Sequence, residues 1–265
     1  MQTSYENRMT EAVVGQLVDA FDVANAEVIS AKASGIAPFG RMLVMSVADD
    51  VLSLPTVKLA DGLLTKYPGI THRDLTKVSG QYEDKDVVAV LKKGKIWVET
   101  EETVAVGDRV YVRIDGKKEV YTITLDGDLI AANVITAKVN GVTCTETYAV
   151  SHDATMAAFA VKIAAVVGVE TATLEGGDNH IVTITADTKG ETLTVTDAAI
   201  TGGAGQAGIV VAKTVTGIAV SSRGKFRKSA DGATTVLLTT ASVEWLAGHA
   251  SGKAPLEVLA TIVEA

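Results

Sequence analysis

Cysteine, aromatic residues and long apolar runs are scarce in this chain of 265 residues. Cys144 is the single cysteine, so intrachain disulfides are excluded. No apolar run approaches the roughly 18–20 residues that a membrane-spanning helix needs. Residues 1–8 are polar and lack the apolar centre of a secretory signal. These absences predict a protein that folds in a reducing bacterial or other cytoplasm and has no membrane partner.

Basic residues are also in deficit. The sequence contains 24 Lys and Arg against 32 Asp and Glu, which gives a formal net charge of −8. Nucleic-acid grooves need clustered Lys and Arg to neutralise phosphates. The one basic cluster, residues 223–228, is short, and charge runs of this kind are usually solvated turns. The composition therefore predicts no nucleic-acid partner.

Valine, isoleucine and threonine are abundant by contrast, in short runs punctuated by Gly and Asp. The clearest runs predict strands at residues 87–91, 96–99 and 110–114, with the basic Gly-containing segment 92–95 as the turn between the first two. Residues 23–31 predict another strand, with Val28 and Ile29 facing inward. Strands this short, separated by frequent turn signals, indicate a mainly β fold with an antiparallel barrel or sandwich as its core.

The pattern changes after Glu119, where strands and one helix predict a small α+β module. Asn140-Gly141 between two apolar runs is a strong hairpin signal, because both turn positions accept positive φ. Residues 154–166 predict the helix, capped by Ser151 or Asp153. Its buried face is formed by residues at helical spacing: Met156, Phe159, Ala160 and Ile163. We therefore predict a discontinuous β domain, residues 1–117 with 222–265, and an inserted domain at residues 118–221.

No set of residues has the spacing of a metal site. The four histidines, at positions 72, 152, 180 and 249, share no ligand spacing, and His152-Asp153 is explained by helix capping. Residues 176–180 offer too few oxygens for a calcium loop and are better interpreted as a hairpin tip. We predict no metal and no cofactor.

Catalytic candidates are equally weak. The glycine-rich residues 202–208 precede a predicted strand, whereas a phosphate cradle opens a helix. Cys144 has no neighbouring cation in the sequence to favour a thiolate. The carboxylate pairs Glu101-Glu102 and Asp49-Asp50 lie in turns and are predicted to be solvated. No nucleophile–base pair remains, so we predict no catalytic residues and no enzymatic activity.

Three ordered stretches of the chain nevertheless resemble a known family. They are Gln2-Thr3-Ser4-Tyr5 with Ile36-Ala37-Pro38-Phe39-Gly40-Arg41 at the start, Ile96-Trp97-Val98 followed by Val106-Gly107-Asp108-Arg109-Val110-Tyr111 at the centre, and Gly224-Lys225-Phe226 with Val243-Glu244-Trp245-Leu246 at the end. Their order and spacing are similar to those of the bacteriophage capsid cement, or head-decoration, proteins. The resemblance covers about residues 1–117 and 222–265. The inserted module looks similar to modules found in phage tail and capsid proteins.

The resemblance implies a structural protein on the outer capsid surface of a virion, bound to the major capsid protein and stabilising it across subunit boundaries. It also implies a homo-oligomer, with a trimer favoured over a dimer. The N-terminal arm would be a capsid contact, with Gln2, Tyr5 and Arg8 as the candidate residues, because an aromatic ring brings large contact area at small entropic cost. The alternative is a carbohydrate-binding or adhesive β protein of a virion, with the inserted module as its binding head.

Overall fold

The computed structural model describes residues 12–18, 26–46, 51–55, 65–175, 177, 179–203, 207–260 and 262. It is mainly β, with 48% of residues in strands, 9% in helical conformation, and a closed barrel. The predicted fold class, a barrel-containing β protein with a small α+β part that has one helix, is confirmed. The chain divides into two compact units, which we call the core unit (Met1–Asp115 with Ser222–Ala265) and the inserted unit (Gly116–Ser221).

The described part of the core unit contains twelve strands, eight before the inserted unit and four after it. The first eight are β1 Glu27–Ala33, β2 Ala37–Pro38, β3 Met42–Ser46, β4 Val51–Ser53, β5 Thr65–Thr71, β6 Gln81–Tyr82, β7 Val87–Thr100 and β8 Tyr111–Arg113.

The inserted unit contains seven strands and one α-helix in its described residues. They are β9 Val120–Leu125, β10 Val134–Val139, β11 Val142–Thr147, α1 His152–Ala164, β12 Val169–Glu175, β13 Ile181–Ala186, β14 Val195–Thr201 and β15 Ile209–Val215. A 3₁₀ turn at Val220–Ser222 follows. The last strands of the core unit are β16 Phe226–Arg227, β17 Thr235–Leu237, β18 Val243–Trp245 and β19 Gly252–Val258.

Five strands of the core unit close into a ring, in the order β1-β4-β3-β5-β7 and back to β1. All these pairs are antiparallel except β1 with β4. Closure leaves no free edge within the ring, which protects backbone groups that would otherwise template aggregation. Beyond the ring, β7 continues into pairing with β19 and β16, and β8 pairs with β16 and β17.

The long strand β7 corrects the prediction of a turn at residues 92–95, which is wrong. These residues stay in the sheet, where Lys93 pairs with Glu27 of β1 and Gly94 pairs with Val258 of β19. Gly94 has φ of +122°, which lets the strand change partner without breaking. A basic Gly-containing segment looks like a turn locally, but pairing with a strand far away in sequence overrides that signal.

Two apolar cores share β7, because it contributes buried side chains to both along its length. Val88 and Val90 pack in one cluster, and Ile96 and Val98 pack in the other, which also contains Trp245. The strand β1 follows the alternation of a half-buried strand, so consecutive residues point to opposite faces.

For that reason Val28 and Ile29 cannot both face inward. Ile29 packs against the core, whereas Val28 is 44% exposed, so the prediction for Val28 is wrong. The described strand begins at Glu27, and residues 23–25 of the predicted strand lie outside the described residues.

The inserted unit has two sheets, of strand order β12-β13-β9-β15 and β11-β10-β14, and α1 packs against β11, β12 and β13. The predicted hairpin is confirmed: Asn140 and Gly141 have φ of +47° and +81° between the paired strands β10 and β11. The predicted helix face is also confirmed, since Met156, Phe159 and Ile163 are fully buried. The unit therefore has an apolar core of its own.

Candidate functional site

A network of charged side chains in the described part of the core unit is centred on Arg113 of β8, whose side chain is fully buried. Its Nε and Nη2 donate to the two carboxylate oxygens of Glu101 at 2.6 and 2.8 Å, and Nη2 also donates to Asp231 at 2.8 Å. Burial alone would lower the pKa of Arg113, but the hydrogen bonds to Glu101 and Asp231 outweigh it and raise that pKa. This guanidinium is a fixed internal charge.

A second arginine completes the network. Arg227 Nη1 donates to Glu101 at 3.2 Å and to Asp231 at 3.3 Å, and its Nε donates to Glu102 at 3.2 Å. The backbone N–H and hydroxyl of Ser229 also donate to Glu102. The prediction of solvated side chains is therefore wrong for Glu101, Glu102 and Arg227, whereas Lys228 of the same basic segment is 41% exposed. The pairing of β16 with both β7 and β8 brings the two segments together, and no local pattern in the sequence reports it.

Glu99 links two more basic residues of the core unit. Its carboxylate accepts from Arg41 Nε at 2.7 Å and pairs with Lys225 Nζ at 2.8 Å. Burial raises the pKa of Glu99, but the hydrogen bonds from Arg41 and Lys225 outweigh it, so the pKa lies below its ordinary value. These half-buried charges are satisfied internally, which favours a structural role for them.

In contrast to these internally paired charges, several large apolar side chains are exposed to solvent on the segments around β6. Val78 is 100% exposed, Leu75 85%, Val87 70% and Ile36 51%. We call these four residues the apolar edge. Single exposed apolar residues are ordinary, whereas several on neighbouring segments can contribute to one binding surface.

The segments that carry the apolar edge are tied to one another. The Gly35 amide donates to Asp84 at 2.8 Å, so the residue before Ile36 is anchored beside β6. Lys77 Nζ lies 2.6 Å from the Asp86 carboxylate, which joins the Leu75–Val78 turn to the start of β7. The edge is therefore presented by backbone with defined hydrogen bonds.

The inserted unit has a polar pocket of about 650 Å³, lined by Gly127, Asp128, Ser151, His152, Asp153, Gly177 and His180. His180 Nε2 lies 2.8 Å from Asp128 Oδ1, and His152 Nδ1 lies 4.0 Å from the same oxygen. The two imidazole rings are 4.7 Å apart between centroids. Among the described residues these three side chains are the group that could hold a metal ion, with ligand atoms within 4.8 Å of one another.

The pocket lies at the start of α1, and capping explains part of it. Ser151 accepts from the Ala154 amide at 3.1 Å and is the N-cap, so the capping interpretation of this start is confirmed for Ser151, while Asp153 lies in the first turn. His152 is 8% exposed, and its Nδ1 accepts from the Leu129 amide at 2.9 Å. Helix capping thus leaves His152 unexplained.

The sequence did not predict this juxtaposition, because its members come from three different connections. Asp128 follows β9, His152 begins α1 and His180 precedes β13, and Asp128 and His180 are 52 residues apart. The hairpin interpretation of residues 176–180 is confirmed, since β12 and β13 pair antiparallel on either side. A histidine at a hairpin tip was the only available signal.

The remaining candidates have structural explanations. Burial raises the pKa of the Cys144 thiol, which is only 4% exposed on β11. The described part of residues 202–208 leads into strand β15, so it does not open a helix. Gln2, Tyr5 and Arg8, the predicted capsid contacts, lie outside the described residues, as does Asp49-Asp50. No helix within the described ranges is long and apolar enough to cross a membrane.

The core unit thus combines a closed β-barrel with described buried charges that are paired inside the unit. A family model described as "Structural cement protein (E217 gp24/Pam3 gp6)" matches residues 1–146. The match covers more than half of the chain, and the chain belongs to this family of phage structural cement proteins. It extends past residue 117 to β11 of the inserted unit.

Other comparisons add little. A search of curated proteins gives no match. A solved chain from Mycobacterium phage Patience is similar at 13% identity, over 100% of this chain and 95% of that chain, with a TM-score of 0.32. That TM-score is too low to support any inference. Family membership implies a structural role, binding to capsid components and a location in the virion capsid.

Proposed function

We propose that this protein binds the outer surface of the assembled capsid, contacts the major capsid protein, and stabilises the lattice across subunit boundaries without catalysing a reaction. The family match over residues 1–146 is the observation that carries the proposal. A specific interface buries about 1,600 Å² in total. A ligand that binds only the assembled lattice stabilises that state alone, so affinity for free capsid protein is expected to be low.

The apolar edge is the surface that we assign to the capsid contact. Water-exposed apolar side chains gain free energy when a partner covers them, by roughly 1.5–3 kcal/mol for a fully buried Val or Leu. The side chains of Val78 and Leu75 are 100% and 85% exposed, so nearly all of their apolar surface is available for burial by a partner. The expected contribution therefore comes from the apolar area that a partner would cover.

Cosedimentation with capsids that lack the protein tests this assignment. Val78→Asp should weaken binding by about 10-fold or more, since about 1.4 kcal/mol is tenfold in affinity. The folded monomer should be unaffected, because the side chain makes no buried contact. Val167→Asp is the matched control, since Val167 is 90% exposed on the inserted unit. Equal loss in both variants, or loss in neither, would contradict the assignment.

The N-terminal arm is the second proposed contact. Ordering the backbone costs about 1–2 kcal/mol per residue, and residues 1–8 contain little apolar surface whose burial could offset that cost. Contacts with a neighbouring protein would supply the missing free energy. Addition to an exposed strand edge is one such mode. Tyr5 is the proposed anchor, with Gln2 and Arg8 as polar contacts. Deleting residues 1–8 should weaken capsid binding, and unchanged affinity would remove the arm from the interface.

The inserted unit is proposed to project outward and to be dispensable for capsid binding. Its apolar cluster draws on its own strands and on α1, which supports independent folding. Replacing residues 118–221 by a short Gly-Ser linker should leave a soluble protein that still decorates capsids. Loss of soluble expression would show that the two units depend on one core.

The protein is further proposed to fold in the host cytoplasm, to bind no nucleic acid and to form a homotrimer, which mass photometry would distinguish from a dimer. The carbohydrate-binding alternative uses the inserted unit as its binding head, and neither tryptophan lies in that unit. Both tryptophans belong to the core unit, where Trp245 is 2% exposed and Trp97 packs edge-to-face on His249. A glycan array separates the two functions.

A further inference from the structure

We propose that the inserted unit binds one divalent transition-metal ion, with Asp128, His152 and His180 as its protein ligands. The proposal is independent of the capsid-binding function, because it concerns only this unit's own pocket. The three side chains come from different connections, so one ion would join the β9–β10 connection, the start of α1 and the β12–β13 connection.

The spacing of the candidate ligands suits a small metal ion. Tetrahedral zinc with ligands at about 2.0–2.1 Å sets those ligand atoms about 3.4 Å apart. The two distances to Asp128 Oδ1 are 2.8 Å from His180 Nε2 and 4.0 Å from His152 Nδ1. They bracket the ideal separation, so small side-chain rotations suffice. His180 and Asp128 are 27% and 68% exposed, which leaves them free to rotate and gives an ion access.

The charges around the pocket favour a cation over an anion. Its described lining includes the carboxylates of Asp128 and Asp153 and contains no Lys or Arg. Two imidazoles with one carboxylate are the ligands of zinc, nickel, cobalt or iron, whereas calcium and magnesium take mainly oxygen ligands. Three protein ligands leave a coordination position for water, which the volume of the pocket accommodates.

The tautomer of His152 identifies the atom that would bind. Because Nδ1 accepts from the Leu129 amide, the lone pair of the neutral ring is on Nδ1 and the proton is on Nε2. Nδ1 is also the ring nitrogen that faces Asp128, with its Oδ1 4.0 Å away. Coordination through Nδ1 takes the lone pair that the Leu129 amide now uses. The amide must therefore release His152 when the metal binds.

The surroundings of the second ring nitrogen of His152, Nε2, determine the metal affinity that we expect. Its Nε2 is buried and has no hydrogen-bond partner among the described residues. Metal-bound histidines normally donate their other N–H to a carboxylate, a carbonyl or water, and losing such a partner lowers affinity by about 10–100-fold. We therefore expect zinc affinity in the micromolar range, weaker than that of a structural zinc finger.

Titration of the chelator-treated full-length protein with zinc chloride, followed by calorimetry, tests the site. One zinc per chain is expected, with a rise in the melting temperature of the inserted unit. His180→Gln and Asp128→Asn should each weaken binding by about 10-fold or more, because loss of a ligand should cost at least as much as loss of a ligand's hydrogen-bond partner. Both residues are partly exposed, so these variants should fold. His249→Gln in the core unit is the matched control and should bind zinc as the unaltered protein does.

A second readout locates the ion. The amide resonance of Leu129 should shift and its hydrogen exchange should accelerate on zinc addition, because its acceptor is taken. No zinc binding at micromolar concentration would overturn the proposal. So would binding that survives both His180→Gln and Asp128→Asn, or binding that His249→Gln abolishes. A zinc-bound protein with an unchanged Leu129 amide would exclude Nδ1 of His152 as a ligand.

Discussion

Replacing Arg113 by methionine should destabilise the core unit strongly. Methionine keeps a long unbranched chain but removes the charge that Glu101 and Asp231 share inside the unit. Breaking a buried pair by removing one partner typically costs about 3–5 kcal/mol. Arg227 still contacts both carboxylates at 3.2 and 3.3 Å, which places the expected loss at the lower end, about 3 kcal/mol.

Tryptophan fluorescence during urea unfolding measures this loss, because both tryptophans lie in the core unit. In thermal unfolding, about 3 kcal/mol corresponds to a fall of roughly 6–12 °C for a unit of this size. Lys92→Ala is the control. It breaks the Lys92–Glu27 pair, whose side chains are 37% and 56% exposed, and exposed pairs contribute about 0–1 kcal/mol. If Arg113→Met lost no more stability than Lys92→Ala, the network would not stabilise the core unit.

Three further changes test the fold. Gly69→Ala should lower the core unit's stability by more than Gly35→Ala in urea unfolding, because both have positive φ but only a Cβ at Gly69 would fall on the Leu91 carbonyl. Cys144 should resist thiol reagents in the folded protein and react when urea unfolds the inserted unit, since burial raises its pKa. The lowered pKa of Glu99 means that its stabilising contribution is present above about pH 4.5 and is lost as the pH falls through the folded value. Glu99→Gln should therefore flatten the loss of urea stability in acid, and equal slopes would contradict it.

Features encoded by neighbouring residues could be predicted from the sequence. Asn140-Gly141 specifies its turn through positive φ, and the spacing of Met156, Phe159 and Ile163 specifies the buried face of α1. Each of these signals is contained in a few neighbouring residues, so it can be recognised in the sequence. In the folded protein the tertiary contacts agree with it.

Features that depend on distant pairing could not be predicted. Gly94 remains part of β7 because it pairs with β19. The Glu101 side chain is largely buried because Arg113 of β8 forms a salt bridge with it. The pocket of the inserted unit has the same origin, since His152 and His180 meet only after α1 and β13 have packed. Each of these residues has an ordinary local pattern, so only the three-dimensional fold gives it its role.

The most direct test of the proposed capsid function compares virions assembled with and without this protein. If the protein stabilises the lattice across subunit boundaries, virions that lack it should lose infectivity and release their genome at lower temperature and under milder osmotic shock. Adding the purified protein back should restore their resistance, and the Val78→Asp variant should restore less of it. Virions without the protein that withstand heat and osmotic shock as well as complete ones would contradict the cement function.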